Sequence, residues 1–148
     1  VLDFAGPYEV FTTATRMHAR NCRDDRQLFN VFTIGRSTAP VRARAGLKVD
    51  PDFSINDHPA VDCLIVPGGV VTAELEKPDV IHWISDPSEP GRVVAAVCTG
   101  AFLLARAGKL AGKQATTHWE ALDDLKAMVP SVDVPRTPRW GGEGSCVT

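Results

Sequence analysis

Two hydrophobic rhythms alternate along this chain, one helical and one strand-like. In residues 3–20, Val10, Phe11 and Ala14 recur at helical spacing. Gly6-Pro7 falls near the first turn, where a missing N–H costs little, and Asp3 lies just ahead of the helix. Residues 21–27 are polar and read as a loop, whereas residues 28–34 alternate as a strand does and end at Gly35. Residues 41–49 predict an irregular hairpin turning at Ala45-Gly46, with Pro51-Asp52-Phe53-Ser54 as its exit. Residues 61–66 form a near-continuous apolar run that stops at Pro67-Gly68-Gly69, the form of a buried parallel strand. Two short helices follow over 71–76 and 78–86, then a strand over 93–97 and a helix from Thr99 to about Ala107, closed by Gly108. Residues 114–118 predict a short strand. Residues 119–128 predict an amphipathic helix with Leu122, Leu125 and Met128 on one side and Glu120, Asp123, Asp124 and Lys126 on the other. Residues 132–134 and 145–148 are further candidate strands.

Strands alternating with helices predict an α/β domain: a doubly wound, mostly parallel sheet with helices on both faces. In such sheets reactive groups collect at the carboxyl ends of the strands. Three groups fall there: Pro67-Gly68-Gly69, Cys98 and Thr117-His118. The first helix has no strand before it, and residues 145–148 have no helix after them. The topology therefore predicts a single domain over 1–148 that lacks its first strand and its last helix.

Cys98 stands between the strand at 93–97 and the helix that follows, with Ala96 two residues before it and Gly100 two residues after. Strand, exposed nucleophile, helix is the form of a nucleophile elbow, whose tight turn demands small residues at those two places. A helix N-terminus also favours a thiolate. The competing reading of Cys98 is a small buried hydrophobe, the usual state of a free cysteine.

Composition narrows the classes. The chain has 148 residues, 44% hydrophobic and 23% charged, ordinary for a globular protein with a real core. A formal net charge of −2 gives no reason to expect direct nucleic-acid contact from this segment, and no apolar run approaches the roughly 20 residues of a membrane span. Cys22, Cys63, Cys98 and Cys146 form no Cys-x-x-Cys pair, so they read as reduced thiols of a cytoplasmic protein with no metal site. With no nucleotide-binding glycine pattern either, no cofactor is expected.

The stretches Leu2-Asp3-Phe4-Ala5-Gly6-Pro7-Tyr8-Glu9-Val10-Phe11, Val66-Pro67-Gly68-Gly69, Val97-Cys98-Thr99-Gly100-Ala101-Phe102-Leu103-Leu104 and Ala115-Thr116-Thr117-His118-Trp119 together resemble the ThiJ/PfpI superfamily, the class I glutamine amidotransferase-like fold. Within it the chain is similar to the isonitrile hydratase branch and to the sensor domains of AraC-type regulators. The resemblance implies a flavodoxin-like sandwich, a homodimer, and a cysteine nucleophile acting on a small-molecule substrate or ligand. In isonitrile hydratases the cysteine, the threonine after it and the aspartate of the Leu-Asp-x-x-Gly-Pro motif are tied to activity; these positions are Cys98, Thr99 and Asp3. The protease-like branch has histidine where this chain has Thr99. Family members begin with a strand ahead of the first helix and continue past the last strand into a long helix, in keeping with the two segments missing here.

Each candidate carries two readings. Asp3 is the general acid and base or a helix N-cap, two roles that can coexist. Thr99 orients substrate through its hydroxyl, or contributes only the backbone N–H after the nucleophile. Gly69 and Val70, with Gly68 before them, supply a second oxyanion donor or form a plain turn. His118 tunes the thiol, or packs at a strand end through a backbone hydrogen bond. Three functions remain open: a cysteine-dependent hydratase or hydrolase of a small electrophile, a non-catalytic ligand sensor, and a redox protein that oxidises Cys98.

Overall fold

The computed structural model describes residues 1–22, 24–86, 91–136 and 139–148. The chain forms two compact units, Val1–His58 and Pro59–Thr148.

In the first unit, helix α1 (Leu2–Cys22) occupies the predicted span and runs two residues past it. Asp3 lies inside its first turn, which corrects its placement ahead of the helix and its reading as N-cap. Its carboxylate stands at the positive end of the helix dipole instead. Pro7 falls in the helix interior; without an N–H it leaves the carbonyl of Asp3, four residues back, with no helical donor. Strand β1 (Ile34–Gly35) is far shorter than the predicted strand over 28–34. The reason is where its donors go. The Phe29 N–H donates to Thr15 Oγ1 at 3.1 Å and the Thr33 N–H to Asp52 Oδ2 at 2.8 Å, so side chains take groups that a neighbouring strand would. The two hydrogen bonds from Thr33 hold the Asp52 carboxyl below its ordinary value. The hairpin of β2 (Val41–Arg42) and β3 (Lys48–Val49) forms as expected, with Gly46 at φ 90° in its turn. Strand β4 (Phe53–Ser54) pairs parallel to β1.

The second unit holds the buried apolar residues described in the chain, from Val61 to Cys146. Strand β5 (Cys63–Val66) pairs parallel to β6 (Val93–Ala96), and β6 pairs parallel to β8 (Cys146–Val147). Strand β7 (Gly142–Glu143), which the hydrophobic pattern did not predict, closes the sheet antiparallel to β8, through the turn at Gly144 (φ 62°). The order is β5-β6-β8-β7. Helices α2 (Thr72–Leu75), α3 (Pro78–Ser85), α4 (Ala101–Arg106) and α5 (Leu122–Met128) occupy the predicted segments, α5 entered through a 3-10 turn over Trp119–Ala121. α4 is the packing hub, touching α2, α3, α5 and β5. Its residues from Ala101 to Ala105 are all buried, which explains why this segment is apolar all round rather than amphipathic. The predicted strands over 114–118 and 132–134 reduce to one bridge, Gln114 with Asp133. Beyond it the Thr116 N–H donates to Thr148 Oγ1 at 2.7 Å rather than into a ladder.

Arg92, immediately before β6, is only 7% exposed. Its guanidinium donates to the carbonyls of Trp83 and Ile84 at 3.3 Å each and lies 5.9 Å from the Trp83 ring centroid. A buried cation is thus matched to the negative end of α3. Among the described residues no helix is long and apolar enough to cross a membrane.

Leu104 is wholly buried at the centre of α4. Leu104→Ala is expected to cost about 2–5 kcal/mol in urea unfolding, against well under 1 kcal/mol for Met128→Ala, which truncates a side chain that is 40% exposed.

Candidate active site

The site is built where β5 and β6 end. Extended backbone continues through Val97 (φ −114°, ψ 131°), whose N–H donates to the Val66 carbonyl at 3.0 Å. The chain then turns abruptly: Cys98 has φ 56°, the one non-glycine residue with positive φ among those described. A 3-10 turn over Cys98–Gly100 leads directly into α4. Strand, left-handed cysteine and helix together make the elbow that the sequence predicted, and a left-handed non-glycine residue costs on the order of 1–2 kcal/mol. The requirement for small residues is visible atom by atom. A Cβ on Gly100 would lie 2.2 Å from the Val66 carbonyl oxygen, closer than any side chain can stand.

Three hydrogen bonds brace the turn from outside. The Thr99 hydroxyl donates to the Gly69 carbonyl and accepts the Gly69 N–H, both at 2.8 Å. This clamp holds Gly69 at φ 127°, which suits glycine. The third bond runs from Thr117 Oγ1 to the Cys98 carbonyl at 2.9 Å. The turn itself returns the Gly100 N–H to the Val97 carbonyl and the Ala101 N–H to that of Cys98.

The predicted residues now have places. Cys98, Thr99, Gly69 and the segment of Thr117 and His118 converge at the carboxyl ends of the strands. Cys98 and Thr99 are half-buried. Gly68 is half-buried and Val70 is 72% exposed, both in the loop after β5. The Gly69 N–H is engaged by the Thr99 hydroxyl, which sets it against the predicted role of Gly69 as an oxyanion donor. The first amides of a helix have no acceptor within it, and the Thr99 N–H occupies that position. His118 opens the 3-10 turn before α5: its Nδ1 accepts the Glu120 N–H at 3.4 Å and stands 3.7 Å from Glu120 Oε2. Asp3 belongs to the first unit, in the opening turn of α1.

Sequence reasoning located Thr117 only by its position at a strand end and assigned it nothing. The chain carries Thr116 and Thr117 side by side, and no local pattern reveals which hydroxyl turns to the elbow. The remaining thiols differ from Cys98. Cys22 and Cys63 are exposed and Cys146 is buried; partial burial and then the Asp62 carboxylate push the Cys63 thiol up, and burial pushes up that of Cys146, with Lys113 and Lys109 nearby opposing the shift in part.

The model of the DJ-1/PfpI family matches residues 2–136, across both units. The chain belongs to the DJ-1/PfpI family. Isonitrile hydratase of Pseudomonas putida is 32% identical over 134 residues, 90% of this chain and 53% of that protein. The HTH-type transcriptional regulator GbdR of Pseudomonas aeruginosa is 36% identical over 107 residues, 72% of this chain and 29% of the regulator. A solved ThiJ/PfpI family protein from Pseudomonas syringae superposes with a TM-score of 0.70 at 25% identity, over 80% of this chain and 49% of that one. The chain thus spans about half of the hydratase and under a third of the regulator. The fold is the α/β, flavodoxin-like fold of this DJ-1/PfpI family, whose members similar to this chain include both enzymes and regulators.

Gly100→Ala is expected to lose about 3 kcal/mol of stability, the upper end of ordinary overpacking, because the atom in the way is backbone already held by Val97. Urea unfolding of the two proteins measures it.

Proposed function

We propose that this chain carries a cysteine-dependent site of isonitrile hydratase type, converting a small isonitrile to the N-substituted formamide. The observation that carries the reading is the left-handed Cys98 at φ 56°, half-buried where a strand hands over to a helix. The Cys98 sulfur bonds to the terminal isonitrile carbon while a proton is delivered to that carbon, giving a thioimidate. Water then adds to the same carbon, the carbon–sulfur bond breaks, the sulfur regains its proton, and the formamide leaves. One water is consumed and no electrons are exchanged.

Asp3, the aspartate that the family resemblance ties to activity, is proposed as a general acid and base. The Thr99 and Val70 amides are the proposed donors to charge that develops on the substrate nitrogen as water adds to the thioimidate carbon. Thr99 serves through its grip on Gly69, since its hydroxyl is occupied on both sides there. His118 is proposed to lie at the edge of the site, held by Glu120 rather than acting as the base. On the family resemblance we also take both units as one domain, in a cytoplasmic homodimer that needs no cofactor.

A second reading has its own support, the 36% identity to GbdR: a ligand-sensing domain of a transcription regulator. The assay separates the two. With cyclohexyl isocyanide-type substrates, turnover to formamide is expected for the wild-type chain and is expected to vanish in Cys98→Ser. Asp3→Asn is expected to lose turnover while its Cys98 still reacts with iodoacetamide. A compound that raises the melting temperature with no formamide formed supports the sensor instead.

The thiols themselves give a simpler check. At neutral pH, peptide mapping after brief iodoacetamide treatment is expected to find Cys98 modified before exposed Cys22 and well before buried Cys146. Preferential labelling of Cys22 would remove the activated thiol from the reading.

A further inference from the structure

We propose that Thr117 is a positioning residue for the nucleophile: its hydroxyl, bonded to the Cys98 carbonyl, holds the left-handed backbone from which the thiol is presented. This rests on the reading of Cys98 as the reactive group and extends it to a residue that bonds to the backbone of the elbow.

A cysteine at φ 56° lies in a region that persists only where the surroundings over-determine it. Most of the bonds at this turn are local or come from the β5 side: Val97 N–H to Val66, Gly100 N–H to Val97, and the Thr99–Gly69 clamp. They fix the residues before and after Cys98. On the peptide plane that follows the Cys98 Cα, the carbonyl takes one bond from inside the turn, the Ala101 N–H, and one from outside it, Thr117 Oγ1 at 2.9 Å. Rotation of ψ at Cys98 swings this carbonyl, so the Thr117 bond resists the motion by which the elbow would relax.

The strut is anchored at its other end. The Ala115 N–H donates to the Asp133 carbonyl at 2.9 Å and the Thr116 N–H to Thr148 Oγ1 at 2.7 Å, so the two residues before Thr117 are held by separate segments. The next residue, His118, accepts the Glu120 N–H and starts the turn into α5. Thr117 therefore joins a fixed segment to the strained residue, and it is half-buried, where a neutral hydrogen bond is little challenged by water.

The test compares Thr117→Val, which keeps the shape without the donor, with Thr117→Ser, which keeps the donor. Cys98 alkylation by iodoacetamide is followed by peptide mapping from pH 6 to pH 10, with Cys22 in the same sample as an internal reference. Loss of one such bond predicts Cys98 alkylation about tenfold slower at neutral pH in Thr117→Val, with a displaced pH profile and unchanged Cys22 labelling. Thr117→Ser is expected to restore both rate and profile to within about twofold, a small fraction of one bond's worth. If valine is not accommodated and the thermal transition is lost, Thr117→Ala carries the same comparison. A wild-type rate and profile in the variant lacking the hydroxyl, or a serine variant as slow as the valine one, overturns the proposal. The readout needs only the thiol, so it stands apart from isonitrile turnover: the hydratase reading can fail in its own assay while this one survives.

Discussion

The peptide backbone at Cys98 bends in a direction that side chains resist, and the second unit is arranged to keep it there. The Gly100 Cα presses against the Val66 carbonyl with no room for a methyl group. That approach is possible only because β5 and β6 run parallel in register, Val66 opposite Ala96, and end together. α4 then drives five consecutive buried residues, Ala101 to Ala105, into the interior immediately after the turn. Burial of α4 therefore does more than fill the core. It pins the downstream arm of the elbow, while the sheet pins the upstream arm, and the residue between them takes up the mismatch in its φ angle.

Seen this way, the residues near the thiol divide by what they hold rather than by how close they stand to it. A hydroxyl offers one proton, and the one on Thr99 goes to the Gly69 carbonyl while its oxygen receives the Gly69 N–H. Nothing is left to donate to a substrate unless that clamp opens. Thr99 is better understood as setting the path of the loop after β5, and so the direction of the amides beyond Gly69. His118 is similarly committed, accepting the Glu120 N–H at the start of α5. Both side chains thus serve the backbone around the thiol.

The second unit was readable from sequence because its signals are local and agree with one another. A β-branched run, a small residue on each side of a cysteine and an apolar helix at 101–106 each point to the same turn. The glycine at 108 closes that helix at φ 74°, as a C-terminal glycine does. The misread segments share a different cause. Residues 28–33 and 114–118 have the composition of strands, but their backbone donors are met by Thr15, Asp52 and Thr148, residues that no local window includes. Asp3 falls inside the first turn because α1 begins one residue earlier, at Leu2, and accepts Pro7 in its interior, which a reading that keeps proline to the first turn does not expect. The Thr117 link spans 19 residues of sequence and was invisible for the same reason: hydrogen bonds between side chain and distant backbone leave no periodic trace.

The choice of cysteine at residue 98 bears on the two functional readings. At φ 56° glycine would meet no steric penalty, and a binding module that used the elbow only as scaffold would be more stable with it. Cysteine there accepts a strain on the order of 1–2 kcal/mol. The side chain is only half-buried, so packing of the sulfur offsets little of that cost. A cost retained at a position where the cheaper residue fits calls for a use of the atom that the cheaper residue lacks. On the proposed function, that use is the reactivity of the sulfur, which a scaffold for non-covalent ligand sensing would not need.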